Sequence, residues 1–384
     1  MTRAKDISKI ITDANFIGDI TASSFNGGQI GGRRNIIING AMQVAQRSNS
    51  AVAVSNNSNE GYQTVDRVNF GFGNNAGGAC NISQDTTVPS GLGFSNSYKV
   101  DVTTADTSIA STHQIFFRTI LEARDIRNSG WNYTDSTGNS KITCSFYARS
   151  NKAGTYCFSF RSVDASGSMY YVKEFTLVAD TWKRVIITIP SNSSLVFDDD
   201  TNAGAVLAIS LQAGSDRDNA TDDTWNTSDS SLATSNQVNF FDDTANNFFL
   251  TGWQLEVGSQ ATPFEHRSYG EELTLCQRYF HQNTFLDNKV VSAGGAVNSS
   301  TIAVCAGMPH PVIMRASPTG SVSNGTHFEV RHKNITTQST SVVVSGSSRS
   351  SYFQASVASG LTTGQGCFIR SSNDSCTLAF DAEL

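Results

Sequence analysis

The chain has 384 residues, of which 38% are hydrophobic and 16% are charged, and its formal net charge is −6. This composition excludes a highly charged disordered chain, and the negative charge disfavours a protein that neutralises nucleic-acid phosphates. No run of about 18 apolar residues occurs, so the sequence predicts no transmembrane helix. Residues 1–10 contain charges where a signal peptide needs an apolar core, so we expect no export signal there.

The first 34 residues differ from the rest and predict an attachment arm. Ile7, Ile10, Ile11 and Ala14 follow the spacing of one apolar stripe on a short helix. A helix this short is marginal alone in water, so it must dock on its own copies, on another domain or on a larger assembly. A glycine-rich stretch then predicts a flexible connection. The alternative is a frayed terminus.

Residues 35–267 predict a large antiparallel β-sandwich, a jelly roll. Short alternating segments recur between turn residues, and no internal repeat supports a solenoid. Residues 247–258 indicate the closing central strand, with Phe249, Trp253 and Leu255 on one apolar face. Within the domain, only residues 111–127 look helical or irregular.

Residues 268–284 predict a connecting helix or linker. Ser268 and Glu271 have the spacing of a capping box, and Leu273, Cys276 and Phe280 form a one-sided apolar stripe. Residues 285–384 then carry six short strand signals, which predict a smaller C-terminal β-sandwich. The seven cysteines are dispersed without any Cys-x-x-Cys pair, a pattern that favours buried, reduced thiols over disulfides.

Several stretches resemble a domain of bacteriophage tail-fibre and virion structural proteins. They are Asn35–Arg47, Val65–Phe70, Phe249–Gly258, Ala261–Arg267 and Glu271–Phe280. The N-terminal arm is similar to the virion-attachment start of marine phage fibre proteins. The stretch Thr181–Val185 resembles the Trp-x-Arg strand of carbohydrate-binding-module jelly rolls. The resemblance implies a homotrimer with the arm at the particle and the C-terminus distal. The chain departs from the fibre pattern at Val68, where tryptophan is usual.

Few residues suggest catalysis. No histidine pair has metalloprotease spacing, and neither a Gly-x-Ser-x-Gly motif nor a phosphate-binding glycine loop occurs. Three acidic clusters remain: Asp198–Asp200, Asp222–Asp223 and Asp242–Asp243. They are interpreted as solvated loop charge. The alternatives are structural Ca²⁺ bound by loop oxygens, or the paired carboxylates of a glycoside hydrolase.

Aromatic residues in polar loops are the better candidates for a binding site. Trp131, Tyr133 and Trp225 lie in turn-rich segments, and loops often carry binding residues. Exposed rings there would stack on a sugar. The alternative is that they fold back and close the ends of the sandwich. Trp182 and Trp253 lie inside predicted strands and are assigned to the core.

Two functions from different classes compete. The first is a non-enzymatic phage tail fibre, a homotrimer attached to the phage tail or capsid through residues 1–34. It would adhere weakly but multivalently to host surface glycans through distal loops, without inserting into a membrane. Such a protein would be made in the host cytoplasm and carried on the virion. The second is a surface-polysaccharide depolymerase, a hydrolase or lyase. A capsid-decorating fibre and a free carbohydrate-binding module are further alternatives.

Overall fold

A computed structural model describes residues 34–164, 168–228 and 232–384. Within these ranges the regular structure is mostly antiparallel β-sheet. The predicted all-β class and the large jelly-roll sandwich are confirmed. The smaller C-terminal domain, predicted to be a β-sandwich, instead closes into a barrel because most of its strands pair in a ring. The predicted attachment residues Ile7, Ile10 and Ile11 lie outside the described residues.

In the described part of the chain, the first twelve strands form two six-stranded sheets that pack face to face around one core. The strands are β1 (Val52–Ser55), β2 (Asn69–Gly73), β3 (Ala79–Asp85), β4 (Ser97–Thr104), β5 (Gln114–Glu122), β6 (Lys141–Ser150), β7 (Gly154–Ser162), β8 (Met169–Leu177), β9 (Lys183–Pro190), β10 (Ala203–Ala213), β11 (Thr224–Asn226) and β12 (Asn247–Val257). The first sheet has the order β1-β3-β4-β12-β6-β9, and the second has β11-β8-β7-β10-β5-β2. A 3₁₀ turn, Phe240–Asp242, precedes β12.

The central strand β12 changes face half-way along its length. Leu250 and Trp253 are three residues apart, yet both point into the core. A β-bulge between them, where Gly252 has a φ of 65°, shifts the register with β6. The strict alternation predicted for this strand is therefore wrong in its first half. Phe249 lies on the outer face instead, where its ring centroid is 6.4 Å from that of Trp182. Trp182, predicted in the core, is likewise half-buried on that outer face.

Strand β4 pairs only with the first half of β12. Residues 35–40 pair with the second half. The Trp253 N–H donates to the Gly40 carbonyl at 2.8 Å. The Asn35 side chain accepts from the Leu255 N–H at 3.0 Å and donates to the Trp253 carbonyl at 3.1 Å. The segment thus satisfies backbone groups of β12 that would otherwise be buried without partners.

Buried charged groups hold residues 35–40 in place. The Arg267 guanidinium donates to the Ile37 carbonyl at 3.2 Å and lies 3.3 Å from the Glu272 carboxylate. The same carboxylate accepts the Asn39 N–H. Removing one member of this network would leave another group buried and unpaired, which costs several kcal/mol in comparable sites.

Within the stretch 111–127, predicted to be helical or irregular, the middle part, Gln114–Glu122, forms strand β5, and only Ala123–Arg127 form a short helix, α1. Ile115 and Phe117 point into the core, whereas Phe116 and Arg118 point outward. Apolar side chains occupy both faces of β5, so its sequence lacks the strict apolar–polar alternation of a half-buried strand. The spacing of its apolar residues is instead compatible with a helix.

A second helix, α2 (Tyr269–Gln277), follows the sandwich. The Ser268 hydroxyl accepts the Glu271 N–H at 3.3 Å, so the predicted N-cap is confirmed. The helix ends at Gln277, and Phe280, predicted on its apolar stripe, lies in the next strand.

The second domain combines a closed barrel with a small sheet. Its strands, all within the described range 232–384, are β13 (Phe280–Phe285), β14 (Gly295–Ser299), β15 (Ile302–Pro309), β16 (Thr319–Val322), β17 (Phe328–His332), β18 (Ile335–Gly346), β19 (Ser350–Val357), β20 (Gly366–Ser371) and β21 (Cys376–Asp381). The barrel order is β14-β15-β19-β18-β17-β20, and the small sheet is β13-β21-β16. A 3₁₀ turn, Gly325–His327, precedes β17.

The end of the chain returns to the first domain. The buried Arg67 guanidinium binds the Glu383 carboxylate, and its central carbon lies 3.6 Å from the centroid of the Tyr279 ring. The Arg47 guanidinium lies 2.9 Å from Asp381 and 3.4 Å from Glu383. These buried and half-buried charges join the two domains through specific geometry rather than through apolar contact alone.

All seven cysteine side chains are buried, as the sequence predicts. None of the helices within the described ranges is both long and apolar enough to span a membrane.

His281 and His310 form a buried pair in the second domain. Nε2 of His281 lies 2.9 Å from Nδ1 of His310, and both rings pack on Phe380 with centroids 4.9 and 4.8 Å away. Burial, and to a smaller degree the neighbouring His310, lowers the pKa of His281 to about 4. The folded protein therefore favours neutral His281.

The Gly40→Ala substitution should lower the free energy of unfolding by about 2 kcal/mol or more. A Cβ at this position would lie 2.0 Å from the Trp253 carbonyl oxygen, so the pairing of residues 35–40 with β12 would have to shift. Denaturant unfolding of the purified protein measures the change. Gly366→Ala is the matched control, since no atom lies within 4 Å of its added Cβ. Equal losses in the two variants would contradict the tight contact.

Stability should fall as the pH drops from about 6.5 to about 4, partly because of His281. The unfolded chain takes up a proton at the ordinary histidine pKa, whereas folded His281 resists protonation until about pH 4. The stabilisation that neutral His281 contributes is thus complete above the pKa of the unfolded chain. It is lost progressively as the pH falls from that value to about 4. We expect His281→Gln to remove on the order of 2 kcal/mol of this pH dependence. Thermal unfolding at stepped pH gives the difference between the two profiles. The half-buried His327→Gln serves as the control, and identical profiles for wild type and His281→Gln would refute the assignment.

Candidate functional site

The three aromatics predicted to lie in polar loops meet at one end of the sandwich, although Trp225 belongs to the short strand β11, which pairs with β8, and not to a loop. The Trp131 side chain is only 3% exposed, and its ring lies edge-on to Phe160 with centroids 6.1 Å apart. Trp225 contacts the same Phe160 ring at 6.1 Å and donates its Nε1–H to a backbone carbonyl at 3.1 Å. Tyr133 lies edge-on to Phe197 at 4.9 Å. The prediction that Trp131 presents an exposed ring is wrong, because this ring closes the end of the core. Tyr133 and Trp225 are half-buried against the core, and their role in binding stays a prediction.

The acidic clusters are engaged by neighbouring basic side chains. Asp222 lies 2.9 Å from Lys173, and Asp242 lies 2.5 Å from Lys152. Asp199 accepts from Arg124 at 2.9 Å. Among the residues that the structure describes, no group of three or more acidic, histidine or cysteine side chains could hold a metal ion, so the Ca²⁺ alternative finds no such site there.

A groove of about 90 Å³ runs along the outer face of the second sheet, and we take it as the candidate site. Strands β5, β10 and β7 form its floor and sides, and Leu232, in the segment between β11 and β12, closes one side. Its lining residues are Gln114, Phe116, Arg118, Ser159, Arg161, Val206, Ala208, Ser210, Ala213 and Leu232. We call this the sheet groove.

Strand register places small side chains in the middle of the sheet groove and large ones beside them. Ala208 on β10 lies between Arg118 on β5 and Ser159 on β7. At the next residue of β10 that faces the groove, Ser210 lies opposite Phe116. Because neighbouring strands are only about 4.8 Å apart, a row of small residues between longer ones leaves an open trough.

Glycines on β2 give the groove side chains room. A Cβ on Gly71 would lie 2.9 Å from Cζ of Phe116, and a Cβ on Gly73 would lie 2.3 Å from Cγ of Gln114. The Phe116 ring and the Gln114 side chain therefore lie over glycine backbone at the edge of the sheet. The half-exposed Phe116 ring keeps apolar surface available to a ligand.

Two arginines give the sheet groove a positive charge. Nε of Arg118 donates to Asn69 at 3.1 Å, and its guanidinium carbon lies 5.2 Å from the Phe116 ring centroid. Arg161 donates to Ser168 at 3.1 Å. Burial lowers the pKa of Arg118, and the positive charge of Arg161 acts in the same direction, whereas Tyr62 and Glu60 raise this pKa. Arg118 nevertheless stays charged at neutral pH, because guanidinium groups do not lose their proton in proteins.

Two buried polar atoms in the sheet groove have no hydrogen-bond partner among the described residues. They are Oε1 of Gln114, an acceptor, and Nε of Arg161, a donor. Buried polar groups are normally satisfied, so such atoms mark places where a ligand or water completes the bonding. None of the described residues that line the groove is an aspartate, glutamate, histidine or cysteine.

The groove offers the contacts that hold a polar ligand with apolar faces. Phe116, the one aromatic residue among the described residues that line the groove, can cover a flat ligand surface, and the amide, hydroxyl and guanidinium groups around it can fix the orientation of that ligand. These are means of binding and positioning.

Sequence reasoning missed these residues because it assigned residues 111–127 to a helical or irregular segment. The signal that could have found them is the alternation of Gln114, Phe116 and Arg118 with core residues. Such alternation predicts a strand with one functional face, and the strand's position in the middle of the domain predicts close neighbours on both sides.

No family model matches the sequence, and no curated protein matches it. Solved structures that resemble part of the chain include a family 4 carbohydrate-binding module, with 12% identity, a TM-score of 0.27, and coverage of 57% of this chain and 97% of that one. A second is the family 11 carbohydrate-binding module from Clostridium thermocellum in complex with a β-1,3-1,4-mixed-linked tetrasaccharide, with 13% identity, a TM-score of 0.26, and coverage of 57% and 99%. A third is an arabinose-bound α-L-arabinofuranosidase, with 10% identity, a TM-score of 0.29, and coverage of 56% of this chain and 26% of that one. Similarity this weak does not transfer a ligand or an activity to this chain.

Proposed function

We propose that this protein is a non-enzymatic, glycan-binding component of a phage virion, and that it binds sugar in the sheet groove. The observation that carries the glycan-binding part is the groove itself. It combines the half-exposed Phe116 ring, two charged guanidinium groups, and a buried acceptor on Gln114 that has no partner among the described residues.

These contacts suit a saccharide. The ring C–H groups of a sugar form an apolar face that packs on an aromatic ring, while its hydroxyls both donate and accept hydrogen bonds. The Gln114 carbonyl oxygen can accept from a hydroxyl, and the Arg161 Nε–H can donate to one. One shallow groove holds such a ligand weakly, so useful adhesion requires several grooves that act together.

The sequence resemblance to phage fibre proteins supports a multivalent setting. It implies a homotrimer whose residues 1–34 attach to the phage tail or capsid, with the rest of the chain directed toward the host surface. In such an assembly, weak binding at each copy is multiplied through effective concentration. The sheet groove takes the place of the distal loops as the proposed point of glycan contact.

Phe116→Ala should weaken binding of a host-surface polysaccharide at least about tenfold, because the substitution removes the apolar surface on which a sugar ring would pack. The experiment titrates the purified full chain against the polysaccharide that binds most tightly on an array of bacterial surface glycans.

Trp182→Ala is the matched control for Phe116→Ala, since it removes a half-buried ring from the outer face of the opposite sheet. This control should leave affinity within about twofold, and thermal unfolding should show that both variants are folded. Unchanged affinity in Phe116→Ala, together with its loss in Trp225→Ala, would move the site from the sheet groove to the aromatic residues at the end of the sandwich.

A native mass of about three chains is expected for the intact protein. Removal of residues 1–34 should abolish association with phage particles. Native mass spectrometry gives the first quantity, and co-sedimentation of tagged protein with particles that lack the fibre gives the second. A monomer that releases reducing sugar from the bound polysaccharide would contradict the proposal and favour a depolymerase.

A further inference from the structure

The two arginines of the sheet groove lie on either side of β10, and no carboxylate occurs among the described residues that line the groove. Arg118 rises from β5 opposite Ala208, and Arg161 rises from β7 opposite Val206, so the short side chains of β10 lie between them. Within the described residues, neither guanidinium forms a salt bridge, although buried arginines elsewhere do so, as Arg67 does with Glu383. Positive charge is thus concentrated at one place on a chain whose net charge is −6.

Each guanidinium has N–H groups that form no hydrogen bond within the described residues. A guanidinium carries five N–H groups, and among the described residues the polar contacts of Arg118 and Arg161 are one hydrogen bond each, to Asn69 and to Ser168. The Nε of Arg161 is buried with no partner among the described residues. The aromatic neighbours, Phe116 at 5.2 Å from Arg118 and Tyr170 at 5.2 Å from Arg161, hold the two side chains in position without consuming their donors.

We infer that the sheet groove selects an acidic glycan, with a negatively charged sugar substituent bound between Arg118 and Arg161 while the sugar ring packs on Phe116. This inference rests on the proposed glycan-binding function and names the class of sugar. The substituent is a carboxylate, as in a uronic acid, or a sulfate ester. Both present oxygens in a geometry that a guanidinium fork can bind with two parallel hydrogen bonds.

Relief of repulsion supplies the selectivity. In the unbound protein, burial lowers the pKa of Arg118 and the like charge of Arg161 lowers it further, while Tyr62 and Glu60 raise it. An anion placed between the two arginines replaces repulsion with two attractions. A neutral sugar offers only hydrogen bonds, so it leaves the repulsion in place. The groove therefore discriminates by charge as well as by shape.

The test measures binding of the full chain to three soluble polysaccharides by isothermal titration calorimetry. Polygalacturonate supplies carboxylates, dextran sulfate supplies sulfate esters, and dextran is neutral. Arg118→Gln and Arg161→Gln keep much of the side-chain length but remove the charge. Arg349→Gln, at an exposed position in the second domain, is the matched control.

We expect one of the two acidic polymers to bind at least about tenfold more tightly than dextran. Each groove variant should lower that affinity about tenfold or more, as expected for the loss of a charge-assisted hydrogen bond. The control should change it less than about twofold. Sodium galacturonate, but not galactose, should compete for the wild-type protein if the carboxylate is the recognised group. This competition needs no variant to fold.

The failures are distinguishable. Equal binding of dextran and both acidic polymers, with no loss in the groove variants, would overturn the acidic-glycan inference and leave glycan binding intact. Binding of no polysaccharide on this panel or on the surface-glycan array would overturn the proposed function as well. If the groove variants instead changed the native mass without changing affinity, the arginines would belong to a contact between copies of the chain, and the inference would fall. Binding of single-stranded DNA with the same dependence on both arginines would overturn it in favour of a nucleic-acid ligand.

Discussion

The fold depends on which residues form hydrogen bonds with the backbone of strand β12 after the strand changes face. At the Gly252 bulge the strand leaves β4, and the buried backbone groups of its second half need a new neighbour. Residues 35–40 provide that neighbour, and Arg267 and Glu272 hold them there from beyond the strand. The first and last parts of the domain therefore form one buried network. Because β12 lies in the middle of its sheet, the sandwich is complete only when both ends of the domain are in place.

The stretches in this network are also the ones that the sequence singles out. Asn35–Arg47, Phe249–Gly258 and Ala261–Arg267 are among the stretches that resemble phage fibre domains, and the structure gives them a shared physical role in closing the sandwich. The sequence predicts the β class, the two β-regions and the cap of α2, because alternation and capping are local patterns. It does not predict the bulge, since a single extra residue reverses every later side chain. Phe249 is for that reason assigned to the wrong face.

The candidate site could not be predicted in the same way. Its residues come mainly from three strands that are distant in sequence. One of them, β5, is hard to recognise as a strand from the sequence, because both of its faces carry apolar side chains. The loop aromatics are the more visible signal, yet Trp131 fills space against Phe160. Whether a loop ring faces solvent or the core depends on tertiary packing at the end of a sandwich. The side-chain type and the turn residues around it carry no such information.

The two outer faces of the sandwich differ because of side-chain volume in their central rows. On the first sheet, Phe94 and Tyr147 cover the Gly252 bulge, where an added Cβ would lie 2.6 and 2.9 Å from their rings. On the second sheet, Ala208 and its small neighbours leave the corresponding space open between long side chains. A sheet face with no covering layer normally carries polar residues in contact with water. Here the open face combines a phenylalanine ring with two arginines that lack a carboxylate partner among the described residues. Solvation alone does not account for that combination, whereas a bound ligand with an apolar face and a negative charge does.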